Sequence, residues 1–260
     1  MKTLREFYEY RELLKTNVRK DIRGRYKGSF LGMLWTFLNP LLQVLVYFLV
    51  FPYLMRNNMG NLFLPYLITA MFPWNFFLSS VVGATGCIKG NAGIVNKVYF
   101  PRKILVLSQV ISNMINFFFS VPIILIFIVI FNLPLTWHLL WLPVIVLIEA
   151  LFCYGIGLIL SAINVYAQDV ENIVQFVLNL LFYATPIIYS VDMFRAESPF
   201  QPLIQANPMT MLVNAYRNVF MYGADPNWMM LGIVLLLGIV LTFIGNHVFN
   251  RLEKGFAEEL

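Results

Sequence analysis

Six apolar stretches of roughly twenty residues, the length a helix needs to cross a bilayer, recur along the chain. They cover residues 30–54, 62–84, 104–131, 139–163, 173–191 and 228–249, and each predicts a membrane-spanning helix. Before them, Tyr10, Leu14, Val18, Ile22 and Tyr26 return every fourth residue, with Phe7 beside them and charges on the other faces. That pattern predicts an amphipathic helix over 4–26 lying in the membrane interface. The connection 192–227 is too apolar for an ordinary loop and is broken by Pro199, Pro202 and Pro208. It predicts short helices dipping back into the membrane. Residues 132–138 make a short turn between the third and fourth spans. The expected fold is an all-α polytopic membrane protein, a single transmembrane unit over 1–260. It divides into an interfacial helix (1–29), six spans (30–249) and a tail (250–260).

Within this apolar pattern three spans carry polar residues at four-residue spacing. The first has Trp35, Asn39, Gln43, Tyr47 and Phe51. The third has Ser108, Ser112, Asn116 and Ser120, flanked by Gln109 and Asn113. The fifth has Gln175, Asn179 and Tyr183, one turn after Asn172. Residues four apart share a helix face, and an amide in hydrocarbon is costly without a partner. These faces therefore point at one another or at a wet cavity. Two readings stand side by side: helix–helix hydrogen bonding, and a path for a polar cargo such as a glycan, which Tyr and Trp meet with a flat apolar face and a polar tip. Glu149 is the one carboxylate deep inside a span, and an intramembrane acid faces a partner or a cavity. Its expected state is protonated, or close to Arg217.

Charge sets the orientation. Fifteen of the eighteen Lys and Arg residues fall before the first span, between the second and third, or after the sixth. Positive residues near span ends stay cytoplasmic, so both termini and the 85–102 loop are expected inside. Only 12% of residues are charged and 60% are hydrophobic, which leaves no room for a separate soluble domain. The net charge of +5, placed on one side, points to anionic lipid or a cytoplasmic partner rather than nucleic acid. The opening is too charged for a secretory signal. Trp35, Trp74, Trp137, Trp141 and Trp228 sit near span ends as interfacial anchors.

Chemistry is sparse. The run Gly83–Gly90 is glycine-rich but lacks the Lys-Ser/Thr end of a phosphate-binding loop. His138 and His247 fall on opposite sides, and Cys87 and Cys153 are two thiols without further ligands, so no catalytic set, metal site or disulfide is expected. If the protein moves cargo actively, the energy has to come from a partner. The 90–100 segment mixes Asn91, Ile94, Val95, Lys97, Val98 and Phe100 ahead of Pro101 and predicts a short amphipathic helix, which either fills a cleft in such a partner or rests on lipid headgroups. Arg19, Lys20, Arg23 and Arg25 are positioned to meet anionic head groups.

Several strings together resemble type-2 ABC exporter permeases of surface polysaccharides, the O-antigen, teichoic acid, capsule and rhamnan permeases. They are Arg25-Tyr26-Lys27-Gly28-Ser29-Phe30-Leu31-Gly32 with Asn39-Pro40, then Phe72-Pro73-Trp74-Asn75, Lys97-Val98-Tyr99-Phe100-Pro101-Arg102, Thr185-Pro186 and Asn207-Pro208. Gln168 stands before Asp169 where many members have Arg. The resemblance implies a homodimer of six-span subunits in a bacterial plasma membrane, with two separate ATPase subunits that bind ATP and Mg. It implies a lipid-linked glycan as cargo and no cofactor in this chain. A membrane-embedded acyl- or glycosyltransferase on lipid-linked sugars, with Asp169, Glu171 or Asp192 as its acid, is the competing reading, and a passive channel or scaffold is a third.

Overall fold

The computed structural model describes residues 8–24, 32–55, 62–95, 97–98, 100–191 and 200–260. Among these residues the regular structure is entirely helical. In chain order the helices are α1 (Arg11–Gly24), α2 (Trp35–Met55), α3 (Phe63–Gly90), α4 (Ala92–Val95), α5 (Lys103–Ile130) and α6 (Leu142–Tyr166). They continue with α7 (Val170–Tyr183), α8 (Phe200–Ala206), α9 (Pro208–Arg217), α10 (Trp228–Leu252) and α11 (Phe256–Glu259).

Among the described residues four helices are long and apolar enough to cross a bilayer: α3, α5, α6 with the 3-10 turn before it, and α10. The first and fifth expected spans correspond to α2 and α7, whose apolar stretches, Leu38–Val50 and Val170–Tyr183, are shorter. The bundle is centred on α3 and α6, which pack against each other, with α5 against α3 and α10 along α6. Small residues permit this closeness. A Cβ on Gly155 of α6 would lie 2.7 Å from the Thr242 backbone nitrogen, and one on Gly245 of α10 would lie 2.9 Å from the Gly155 carbonyl oxygen. Gly157 faces the other way, where a Cβ would stand 2.7 Å from Ala84 Cβ of α3.

Three boundaries differ from the sequence reading. The second span does not stop near 84: α3 runs on to Gly90, and the glycine-rich stretch is its last turns. No Pro interrupts it there, and Asn91 closes it, its side chain donating to the Cys87 carbonyl at 2.8 Å. The fifth span ends as a helix at Tyr183 instead of continuing to 191. Pro186 disfavours helical geometry at Thr185, and residues 185–189 continue as a buried non-helical segment. Irregular backbone at membrane depth requires protein around it. Here Arg217, 2% exposed, donates to the Ile187 carbonyl at 3.2 Å and lies over the Tyr66 ring at 3.4 Å. The third change is in the 90–100 segment, where the expected short helix is a single turn, α4, over Ala92–Val95.

The apolar connection before the last span does form short helices, α8 and α9, followed by a π-helical turn, Asn218–Tyr222. The side chain of Asn207 caps α9, accepting from the Met209 amide at 2.9 Å, and α9 buries Met209, Leu212, Val213 and Tyr216. At the same end Trp141 donates to Asp225 at 3.0 Å and meets Trp228 edge-on at 4.7 Å. At the opposite, basic end the chain folds back after α10. Phe256 is fully buried, Arg102 donates to the Glu253 carbonyl at 2.6 Å, and Tyr166 donates to the Leu252 carbonyl at 2.8 Å. The 250–260 tail is thus packed against the bundle through residue 256.

Candidate functional site

The polar stripes of the first and third expected spans converge on one cavity of about 250 Å³. From α2 it is lined by Trp35, Asn39, Pro40 and Gln43, and from α5 by Asn113, Asn116, Phe117 and Ser120. The wall between them is α3, through Phe72, Asn75, Phe76 and Ser79. The cavity lies near the middle of both 28-residue helices α3 and α5, at a depth where backbone groups are satisfied internally and side chains supply what polarity there is. Among the described residues no Lys, Arg, Asp or Glu lines it.

A second recess joins Gln175 and Asn179 of α7 to Ser79, Val82 and Gly83 of α3. Ser79 lines both spaces. The three stripes are therefore brought to the two sides of α3. Sequence reasoning took residues 72–77 as an aromatic string and missed that Asn75, Ser79 and Gly83 form a four-spaced small and polar stripe of their own. That spacing was the available signal.

Aromatic contacts frame the site. Phe76 stacks on Phe117 with ring centroids 5.7 Å apart, and Phe117 meets Tyr216 edge-on at 5.6 Å. Tyr47 lies outside the cavity: its ring sits 5.8 Å from Phe182 of α7, and its hydroxyl accepts from Gln43 at 3.3 Å. Tyr183 is exposed and stands edge-on to Phe182 at 5.4 Å. Ser112 is fully buried and donates within its own helix to the Ser108 carbonyl. Ser120 does the same toward the Asn116 carbonyl. The side chain of Phe51 lies outside the described residues.

Asn116 is different. It is 7% exposed, and neither its carboxamide oxygen nor its nitrogen has a hydrogen-bond partner. Glu149 is fully buried, and its Oε2 accepts from the Tyr216 hydroxyl at 2.6 Å, while Oε1 is unpaired. Its partner is thus the residue before Arg217, whose guanidinium is turned to Tyr66 and the 185–189 segment.

At the basic end, α1 docks on α5. Lys20 donates to the Asn91 side chain at 2.8 Å and Gln109 donates to Asp21 at 3.0 Å. Arg19 and Arg23 are exposed, and Arg25 lies outside the described residues. On the exposed face of α1, Lys15 donates to Glu12 at 2.8 Å, a hydrogen bond that lowers the Glu12 carboxyl below its usual range. Beyond Asn91, Ile94, Lys97 and Val98 are exposed, whereas Val95 and Phe100 are buried. Among the described residues no group of three His, Cys, Asp or Glu side chains comes together to hold a metal.

Comparison with known proteins places this architecture. Residues 12–221 match the model of the ABC-2 type transporter family. The chain is 36% identical to the O-antigen export system permease protein RfbA of Myxococcus xanthus over 260 residues, covering 100% of each chain. It is 34% identical to the RfbA of Klebsiella pneumoniae over 96% of this chain and 95% of that one. To the polysialic acid transport protein KpsM of Escherichia coli it is 24% identical over 90% of this chain and 91% of that one. With a family match over most of its length and a relative aligned from end to end, the chain belongs to the ABC-2 type transporter family and is a transporter permease, not an enzyme.

Proposed function

We propose that this protein is the transmembrane subunit of an ATP-driven exporter that carries a lipid-linked surface polysaccharide from the cytoplasm across a bacterial plasma membrane. The observation that carries the reading is the end-to-end similarity to an O-antigen export permease, in a chain whose cavity is lined, among the described residues, by polar and aromatic side chains without charge. Two copies would face each other with their α2 and α7 polar faces inward, because Gln175, Asn179 and Tyr183 are exposed on a helix at membrane depth and need a polar or protein neighbour. In this reading all six apolar stretches span, and both termini lie inside, as the basic asymmetry demands.

Two separate ATPase subunits would bind ATP and Mg and supply the work. Their contact would be the turn that follows α3, where Ile94 and Val98 are exposed apolar groups beside Lys97. Arg19 and Arg23 on α1 would meet the anionic head of the lipid carrier, each contributing about 1 kcal/mol near an anionic surface. The test is reconstitution of the permease with its ATPase in vesicles loaded with lipid-linked polymer. ATP-dependent appearance of the glycan on the far leaflet is the expected result. Equal appearance without ATP overturns the reading.

A further inference from the structure

We propose that the cavity between α2, α3 and α5 is a binding site for one uncharged pyranose unit, read by the carboxamide of Asn116; the inference rests on the export reading above. Three observations carry it. First, Asn116 is 7% exposed with both ends of its carboxamide unpaired. A buried polar group without a partner is costly and calls for an explanation, such as a missing ligand or water. One amide offers a donor and an acceptor side by side, which matches two adjacent hydroxyls of a sugar ring.

Second, the neighbouring polar groups of α5 are already committed. Asn113 donates to the Gln109 carbonyl at 2.9 Å and Ser120 to the Asn116 carbonyl at 3.1 Å. They shape the wall and leave the Asn116 carboxamide to do the reading. The apolar wall is equally fixed. Phe76 lies on Phe117, Phe117 rests against Tyr216, and Tyr216 is tied to Glu149 at 2.6 Å. Aromatic and amide residues lining one cavity suit a ring with an apolar C–H face and a polar edge.

Third, charge and size select the class. With no Lys, Arg, Asp or Glu among the described residues of the wall, a phosphate or a uronate would enter without compensation from them, which favours a neutral sugar. The volume of about 250 Å³ is far above the roughly 10–15 Å³ that a single water requires on the same measure, and it admits a sugar ring.

The experiment uses the complete permease–ATPase complex in nanodiscs with Ser79→Cys as a reporter on the cavity wall, and Asn75→Cys as a second reporter should the first fail to assemble. Formation of the methyl mixed disulfide with methyl methanethiosulfonate, with methanesulfinate leaving, is timed with and without the methyl glycosides of glucose, galactose, mannose, rhamnose and N-acetylglucosamine. Glucose 6-phosphate serves as the charged control. At a glycoside concentration about ten times its Kd, occupancy slows thiol modification about tenfold. At least one neutral glycoside is expected to do so, glucose 6-phosphate is not, and Asn116→Leu abolishes the effect. Failure of every glycoside to protect shows a hydrated packing void and overturns the proposal. So does protection that survives Asn116→Leu, or protection by glucose 6-phosphate equal to that of the glycosides. ATP-dependent export by the same preparation without the reporter separates the two claims. Export without protection removes the sugar site and leaves the exporter, whereas absent export removes the exporter itself.

Discussion

Gln109 of α5 donates from its side-chain nitrogen to the Asp21 carboxylate of α1 at 3.0 Å. One residue earlier in α1, Lys20 donates to Asn91, the residue that closes α3. One turn further along α5, Asn113 donates to the Gln109 carbonyl and lines the cavity. The amphipathic helix is therefore bonded to the turn after α3 and to the cavity wall, and does not merely rest on lipid. A displacement of Asn91 has a short polar route to α5 through two adjacent residues of α1.

Asp21→Ala is expected to loosen α1 from the bundle. A hydrogen bond to a charged group contributes about 1.5–3 kcal/mol, so amide exchange across residues 11–24 is expected to accelerate about tenfold or more. Asp21→Asn, which keeps an acceptor for Gln109, lies between wild type and Asp21→Ala. Exchange mass spectrometry of the complex decides it, and unchanged protection in Asp21→Ala would show that apolar docking alone holds the helix.

Glu149 and Tyr216 form a buried pair whose members fail together. Tyr216→Phe leaves the Glu149 carboxyl without its donor and is expected to cost about 1–3 kcal/mol. Glu149→Gln retains an acceptor for the Tyr216 hydroxyl and costs less. Adding Glu149→Leu to Tyr216→Phe recovers part of the loss, because two apolar partners leave no polar group unpaired. Thermal unfolding in detergent of Tyr216→Phe, Glu149→Leu and their double variant measures the coupling, with Glu149→Gln alongside.

The α6–α10 seam depends on missing Cβ atoms. Gly155→Ala would place its methyl 2.7 Å from the Thr242 backbone nitrogen, and overpacking of this kind costs about 1–3 kcal/mol. Gly232→Ala in the same helix pair meets nothing within 4 Å and is expected to be neutral or to stabilise by up to about 1 kcal/mol. Equal melting temperatures for the two variants would show that the seam opens at no cost.

Ile94→Asp with Val98→Asp changes two exposed side chains, 42% and 57% accessible, and so leaves the fold intact. In the exporter complex the pair is expected to release the ATPase or to uncouple hydrolysis from export. Val95→Asp, at a buried position, is expected instead to lower permease stability. Normal coupled transport by the double variant would place the ATPase contact elsewhere.

Hydrophobic periodicity alone determined the helical class, the apolar stretches, the short helices before the last span and the amphipathic start, because each depends on local spacing along the chain. Charge placement alone distinguished one end of the bundle. The polar stripes, too, were legible as faces. What only the tertiary structure decided was what those faces meet. Asn116 and Ser112 sit one turn apart on α5 and look alike in sequence, yet one borders a cavity with its carboxamide unpaired and the other bonds back into its own helix. Helix ends were decided the same way. α3 passes through its glycines because neighbouring helices pack closely against it, and α7 stops at Tyr183 because Arg217, 34 residues beyond, satisfies the broken backbone that follows. Such partners lie far apart in the chain, and no local pattern encodes which of two equally polar residues will be given one.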